Sequence, residues 1–464
     1  MSEIGLRKEM VALRPSLPAL VQAIEAKAPY GAVYLTSKMG QQISVDNVQE
    51  KVSEISPTAG TVLSAFDGVT MRERAVGGFI LDDVQSGLKD LLGGVSFSSD
   101  GGIDPGMERS GDFKTSVKID PASMRTEEKL AHLRDLNRRV NAMDEHIVNV
   151  RVNYSEYREQ DVFCSRTADL GQHVLRVVIM VLVIVAGESG VRFDYGIKNA
   201  TGGWEALEFT DEELQKIVSN AVKLLTAERI EPGEYTIITG PPVSGVICHE
   251  SFGHGVETDM FLKERARASA YIDKVVGSTL VDIYDDPSIP GAFGSYFFDH
   301  EGVLARPTQI VEKGIFRRGI TDLYSATRLG IERSPNGRRQ DFARKIYPRM
   351  SNTYFGAGES SLEEMLAQVD HGIYLGKVSS GMEDPKGWGI QVSSPYAFEI
   401  KNGELTDHMY GEVGITGYVP DVFQSISAVG KRLHFDGGTC GKGHKEEVKV
   451  SSGGPHMLMK ARLG

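Results

Sequence analysis

Apolar residues recur at helical spacing in some stretches of this chain and in alternating or continuous short runs in others, which predicts a mixed α and β architecture. Leu17, Leu20, Val21 and Ile24 lie on one helical face behind Ser16 and Pro18, a helix start. Strands are expected over 32–35, 42–45 and 61–66, with Asp67-Gly68 marking a turn. Residues 96–111, rich in Ser, Asp and Gly, read as a loop. Thr126 is expected to cap a helix reaching about residue 143, with Glu127 and Glu128 in its first turn. Strands follow over 147–154, 173–186 and 191–195. The run from Val177 to Ala186 is the longest apolar stretch, about half of what a membrane span needs, and reads as a buried strand.

Thr210-Asp-Glu-Glu213 has the form of a capping box and opens a helix expected to reach residue 227, its apolar face made of Leu214, Ile217, Val218, Ala221, Leu224 and Leu225. Glu231-Pro-Gly-Glu234 ends that unit, and the domain boundary is placed there, dividing the chain into 1–230 and 231–464. Beyond it, short strands are expected over 235–239, 281–284, 308–311, 389–392, 397–400 and 447–450, with tight turns at Lys313-Gly314 and Asn402-Gly403 and a helix over 361–369. The expected fold class is therefore α+β: a strand-and-helix N-terminal domain, then a β-rich C-terminal domain carrying the chemistry.

Composition narrows the classes. With 41% hydrophobic residues the 464-residue chain is not a disordered one, and 52 glycines favour strands and turns over a helical bundle. A net charge of −12 without a basic stripe argues against direct nucleic-acid binding. Three cysteines, Cys164, Cys248 and Cys440, make no disulfide framework and suit a reducing, cytoplasmic setting; no hydrophobic signal core opens the chain and no membrane association is expected.

The sharpest chemical signal is Cys248-His249-Glu250-Ser251-Phe252-Gly253-His254. Imidazole is a common zinc ligand, and a Glu directly after the first His can accept a proton from metal-activated water, the logic of the HExxH helix. Here the second His comes one residue later. Five helical residues turn through about 500°, leaving the two rings roughly 140° apart. The motif therefore needs a local bulge or a helix that ends near Gly253. Two ligands are too few for a catalytic zinc. Cys440, in the glycine-rich run Asp436-Gly-Gly-Thr-Cys-Gly-Lys-Gly-His444, is the leading third candidate, with His434, His444, Glu257 and Asp259 as rivals.

Five segments together resemble the TldD/PmbA family: Gly245-Val-Ile-Cys-His-Glu-Ser-Phe-Gly-His-Gly-Val-Glu-Thr-Asp259, Phe298-Asp-His-Glu-Gly302, Asn336-Gly-Arg-Arg339, Pro348-Arg-Met-Ser-Asn-Thr-Tyr354 and Gly438-Thr-Cys-Gly-Lys442. The resemblance implies a zinc-dependent metallopeptidase in which His249, His254 and Cys440 hold Zn²⁺ and Glu250 is the general base. It implies the TldD-type catalytic subunit, working as a homodimer or as a heterodimer with a motif-lacking homologue. The dimer encloses the site in a chamber, and unfolded peptides enter in extended form and bind by strand addition. The segment Asp299-His300-Glu301 departs from the family, which has two acids before the Glu, so His300 becomes a possible competitor for metal. Arg338, Arg339 and Arg349 are read first as structural ion-pairing residues and second as anion holders. Tyr347 and Tyr354 are read as packing residues before tetrahedral-intermediate donors, and Trp388 equally as a core anchor or a cleft wall. Two other readings stay open: a non-catalytic scaffold with a structural or empty metal site, and a metal-dependent hydrolase of non-peptide bonds.

Overall fold

A computed structural model describes residues 4–93, 103–443 and 445–464. The first half is built on one seven-stranded sheet. Its path runs through Met71–Gly77, Glu50–Phe66, Tyr30–Val45, Ile147–Ser165 and Ala168–Gly187. The last of these pairs along one edge with two strands in succession, Arg109–Lys114 in parallel and Gly190–Thr201 antiparallel. Helices Leu17–Glu25 and Leu81–Leu92 bury Leu17, Leu20, Val21, Ile24, Val84 and Leu91 against one part of this sheet. Helices Thr126–Asn141 and Asp211–Lys223 cover another part, with Leu133, Leu136, Leu214 and Val218 packed on Val177, Ile179 and Val181.

The strands are longer than the apolar runs that predicted them. Residues 32–35 and 42–45 belong to one strand, Tyr30–Val45, whose polar middle stays paired on both sides and absorbs an irregularity between Lys38 and Gly40. Residues 61–66 are likewise the end of Glu50–Phe66. Pairing with neighbouring strands carries them through stretches with little apolar content. Thr126 is the first helical residue instead of the cap; Arg125 takes the cap position, and its amide donates to Glu128 at 2.8 Å. The Thr210 capping box forms in both directions, although that helix stops at Lys223. Of the expected loop at 96–111, residues 96–102 lie outside the described residues and Arg109 begins a strand.

The second half contains two large sheets and a two-stranded one, Gly337–Arg338 with Tyr347–Pro348. In one, Gly233–Thr239, Met457–Leu463, Glu404–Tyr418, Gly389–Lys401 and His371–Leu375 pair in a ring, because His371–Leu375 bonds to both Gly233–Thr239 and Gly389–Lys401. Ser380–Asp384 hangs on this ring as an edge strand, paired only with Gly389–Lys401. The other sheet has the order Ile315–Phe316, Thr308–Glu312, Ile283–Asp285, Asn352–Phe355, Lys445–Gly454, His434–Lys442. Helix Pro241–Phe252 lies between the two sheets. It buries Val243, Ile247, Cys248 and Phe252 in the main core and turns Val246, His249 and Glu250 toward a cleft. The helix expected over 361–369 forms as Leu362–Leu366 with Ser361 as its cap. Among the described residues no helix is long and apolar enough to cross a membrane.

Candidate metal centre

The extra residue in the histidine motif is accommodated by ending the helix. Helix Pro241–Phe252 carries His249 and Glu250 in its last turn and stops at Gly253; a short 3₁₀ turn, His254–Val256, follows. Gly253 is required there. A Cβ at this position would lie 2.3 Å from the His249 carbonyl oxygen and 2.9 Å from Met350 Cγ. With the chain turned so sharply, the two imidazoles stand 5.2 Å apart between centroids and nearly perpendicular, at 86°.

Cys440 completes the group. The segment around it is a strand, His434–Lys442, instead of a free loop, and its antiparallel partner Lys445–Gly454 packs on the site helix. Hairpin pairing thus fixes the thiol's position. Its Sγ lies 3.0 Å from His254 Nε2, and ligand atoms of His249, His254 and Cys440 all fall within 4.8 Å of one another. His249 Nδ1 is buried with no hydrogen-bond partner among the described residues. Two nitrogens and one sulfur, partly buried and one of them unsatisfied, suit a zinc ion that keeps a fourth position open.

The electrostatics favour a charged thiolate. Burial by itself raises the Cys440 thiol, but the imidazoles of His249 and His254 overcome this and hold it well below the ordinary thiol range. Burial opposes charge on His254 too, and the bonds to Cys440 and Glu257 push it the other way, well above the usual imidazole value. Glu257, 3.8 Å from His254 Nδ1, orients that ring from behind. Glu257 is fully enclosed and is held ionised against desolvation by Lys442 at 2.7 Å and Arg349 at 3.1 Å. Arg349 has no exposed side-chain surface. Its Nη2 donates to both the carbonyl and the Sγ of Cys440 at 3.1 Å, and its Nη1 donates to the Glu446 carbonyl.

Glu250 makes no hydrogen bond or ion pair among the described residues and sits where two lobes of a cleft meet. One lobe, about 570 Å³, is floored by Asp194, Asn220, Lys377 and Tyr396, a buried polar network joining the two halves of the chain. The other, about 560 Å³, is bounded by His254, Glu257, Glu383 and Lys442. The edge strand Ser380–Asp384 passes directly over the carboxylate. A Cβ at Gly381 would lie 2.9 Å from Glu250 Cγ, so only glycine leaves the Glu250 side chain its place.

The rival ligands are occupied elsewhere. His434 pairs with Asp436 at 3.2 Å, Asp259 with Lys442 and Lys263, and His444 lies outside the described residues. His300 belongs to a separate buried cluster with Glu159 and Asp161. There Lys38 at 2.6 Å and Arg176 at 3.0 Å already neutralise Glu159, and burial drives His300 down to about 3, an uncharged ring. Arg338 and Arg339 donate to loop carbonyls, and Arg339 also pairs with Glu73. Tyr354 stacks on Tyr284, and Tyr347 lies beneath the ammonium of Lys442. Trp388 is a core anchor: it is 1% exposed, packs on Phe252 and donates to the Ser251 carbonyl at 3.4 Å. Sequence reasoning missed the thiol contact of Arg349, although Arg349 lies within one of the motif segments, and missed Glu383, which no local pattern marks.

Fold and site together define a mixed α/β protein with a histidine–cysteine cluster, a candidate metal centre, between two sheets. The chain belongs to the PmbA/TldD metallopeptidase family: family models described as the PmbA/TldA metallopeptidase central domain and C-terminal domain match residues 119–228 and 232–462. A metalloprotease of Archaeoglobus fulgidus is 31% identical across 83% of this chain and 88% of its own length. One from Methanothermobacter thermautotrophicus is 33% identical across 68% and 69%, and a TldD homologue of Haemophilus influenzae 30% identical across 73% and 72%. In fold, the chain is similar to a Thermotoga maritima protein described as a modulator of DNA gyrase (TM-score 0.77, 17% identity, 98% of this chain and 100% of that one). It is also similar to TldE from Thermococcus kodakarensis (TM-score 0.70, 17% identity, 96% and 99%).

Proposed function

We propose that this protein is a zinc-dependent peptidase acting on unfolded or flexible peptides, with His249, His254 and Cys440 as metal ligands and Glu250 as general base. The observation that carries this reading is the convergence of the three donors within 4.8 Å, beside a partnerless carboxylate, at the junction of two cleft lobes. When bound, zinc supplies Lewis-acid activation of water and of the carbonyl under attack. Glu250 follows the first ligand on the helix, where its free carboxylate takes the proton of the attacking water and returns it to the leaving amine. Glu257 and Arg349 keep His254 and Cys440 in position through the reaction. The substrate lies extended through the two lobes, adding a strand beside the site.

The reading extends to organisation. Residues 1–230 form the domain that shapes the chamber and the dimer contact, and 231–464 the peptidase domain. The chain pairs with a second copy or with a motif-lacking homologue. It works in the cytoplasm, in keeping with three free, buried cysteines. The test is metal analysis together with cleavage of a mixed peptide library, with and without chelator. Zinc near one per chain and chelator-sensitive cleavage are expected, and Glu250→Gln should keep the zinc and lose cleavage. Zinc-loaded protein that cuts esters or non-peptide amides but no peptide would replace this reading with that of a different hydrolase. A fourth protein ligand closing the site would replace it with that of a structural metal.

A further inference from the structure

The lobe that holds His254 contains a carboxyl group that the peptidase reading does not use. Glu383 is on the edge strand Ser380–Asp384, two residues after Gly381. Residues i and i+2 of a strand share a face and lie about 7 Å apart. Gly381 turns this face onto Val246 and Glu250, at 2.4 and 2.9 Å from the position of a Cβ, and Glu383 follows on the same side, its Oε2 3.9 Å from where a Cβ of Gly255 would be. Glu383 thus stands one dipeptide step along the cleft from the stem of Glu250. The stem of a lysine or arginine on a residue flanking the cleaved bond is long enough to span that offset.

Its Oε2 is fully enclosed and has no hydrogen-bond partner, and no described cation pairs with it. An enclosed carboxyl oxygen without a partner is costly, and it contrasts with the matched acids Glu257 and Asp259 beside it. Glu257 has Lys442 and Arg349; Asp259 has Lys442 and Lys263; and Lys442 is committed to both acids at 2.7 Å. Among the described residues, Lys442 is the one lysine or arginine lining this lobe, and both of its ion pairs are with other acids. The remaining walls of the lobe include Met260, Met382 and Pro385, an apolar lining suited to a methylene stem.

We propose that Glu383 is a specificity-determining residue and that the preferred substrates are peptides with a lysine or arginine side chain flanking the bond that is cleaved. The stem of that side chain lies over Met260, Met382 and Pro385, and its cationic head completes the carboxyl. The inference rests on the peptidase reading for the register of the peptide, while the recognition itself requires only that a peptide enter the lobe.

The experiment uses end-blocked decapeptides on a Gly/Ser/Ala background, identical except for a single Lys, Met or Glu. With zinc-loaded protein and products mapped by mass spectrometry, cleavage should fall next to the lysine, with kcat/KM about 10- to 100-fold above the Met peptide, the range of a charge-assisted bond in a desolvated site. Glu383→Gln should bring the Lys/Met ratio close to one, and Glu383→Lys should turn the preference toward the Glu peptide. The second arm measures binding to zinc-loaded Glu250→Gln by fluorescence anisotropy. The Lys peptide should bind at least about 10-fold more tightly than the Met peptide, and adding Glu383→Gln should remove the difference. Equal binding and equal cleavage of the Lys and Met peptides, or a lysine preference that survives Glu383→Gln, overturns the proposal. Selective binding with no cleavage of any peptide leaves this recognition standing and sinks the peptidase reading alone.

Discussion

Replacing Arg349 by methionine removes one side chain from four acceptors at once: the Glu257 carboxylate, the carbonyls of Cys440 and Glu446, and the Cys440 sulfur. Methionine fills similar volume, so the main loss is of charge and donors. Breaking a buried ion pair by deleting one partner costs about 3–5 kcal/mol. Lys442 remains 2.7 Å from Glu257 and keeps that carboxylate compensated, which places this part near the lower bound. The abandoned carbonyls add roughly 1 kcal/mol each. A loss of about 5 kcal/mol in the half that carries the candidate metal centre is expected. Zinc affinity should fall about 10- to 100-fold, because the guanidinium that fixes the thiolate is gone. The assay is urea denaturation of the metal-free protein alongside a zinc competition titration with a chromophoric chelator. Arg349→Lys serves as the control: it keeps the charge without the fork and should recover only part of either loss. A methionine variant that unfolds within about 1 kcal/mol of wild type and binds zinc within two-fold would refute the view that Arg349 supports the centre.

Cys440→Ala should lower zinc affinity by more than about 100-fold, since a direct ligand matters more than a group behind it; unchanged metal content by elemental analysis would hand the third position to another side chain. Gly381→Ala puts a methyl group 2.4 Å from Val246 Cγ1 and 2.9 Å from Glu250 Cγ, so kcat should fall about 10-fold or more with zinc retained, and an unaltered kcat would mean that the strand yields without moving the base. Burial, with Glu250 and Glu257 nearby, pushes the Glu383 carboxyl from 4.5 up to about 8 in the fold. A value raised on folding gives stability that is complete below the unfolded value and is lost as pH climbs through the folded one. Metal-free Glu383→Gln should therefore match wild type near pH 4.5 and become the more stable of the two by roughly 2–4 kcal/mol at pH 8, as read by urea midpoints. A difference independent of pH would show that the carboxyl is already solvated.

Much of the site was legible because its chemistry is written in residue types and spacing. His249, Glu250 and His254 have the types and spacing of a candidate ligand pair and base, and the helical geometry requires a break, which Gly253 supplies. Cys440 was legible as a candidate, whereas its place beside the rings depends on the hairpin Asp436↔Ser452 to Cys440↔Val448, which no local pattern reveals. The lengths of Tyr30–Val45 and Glu50–Phe66 were not legible for the same reason: the polar middle of the first is paired on both sides, and the polar start of the second is held by the first on one side. Glu383 carries no signal at all. Its significance lies in the lack of a hydrogen-bond partner for its enclosed oxygen, a property of the folded surroundings.

The ring of strands in the second half has a consequence for how the centre comes into being. Thr239 ends the strand leading into the site helix, and its hydroxyl donates to the carbonyl of Met457, 218 positions away. Contacts that close so long a loop form late, since the entropy of bringing distant segments together must be met before they repay it. The ribosome exposes His249 and Glu250 long before the last strand can dock beside them. A polypeptide cut short before residue 457 would therefore carry His249, His254 and Cys440 in a half whose ring of strands cannot close.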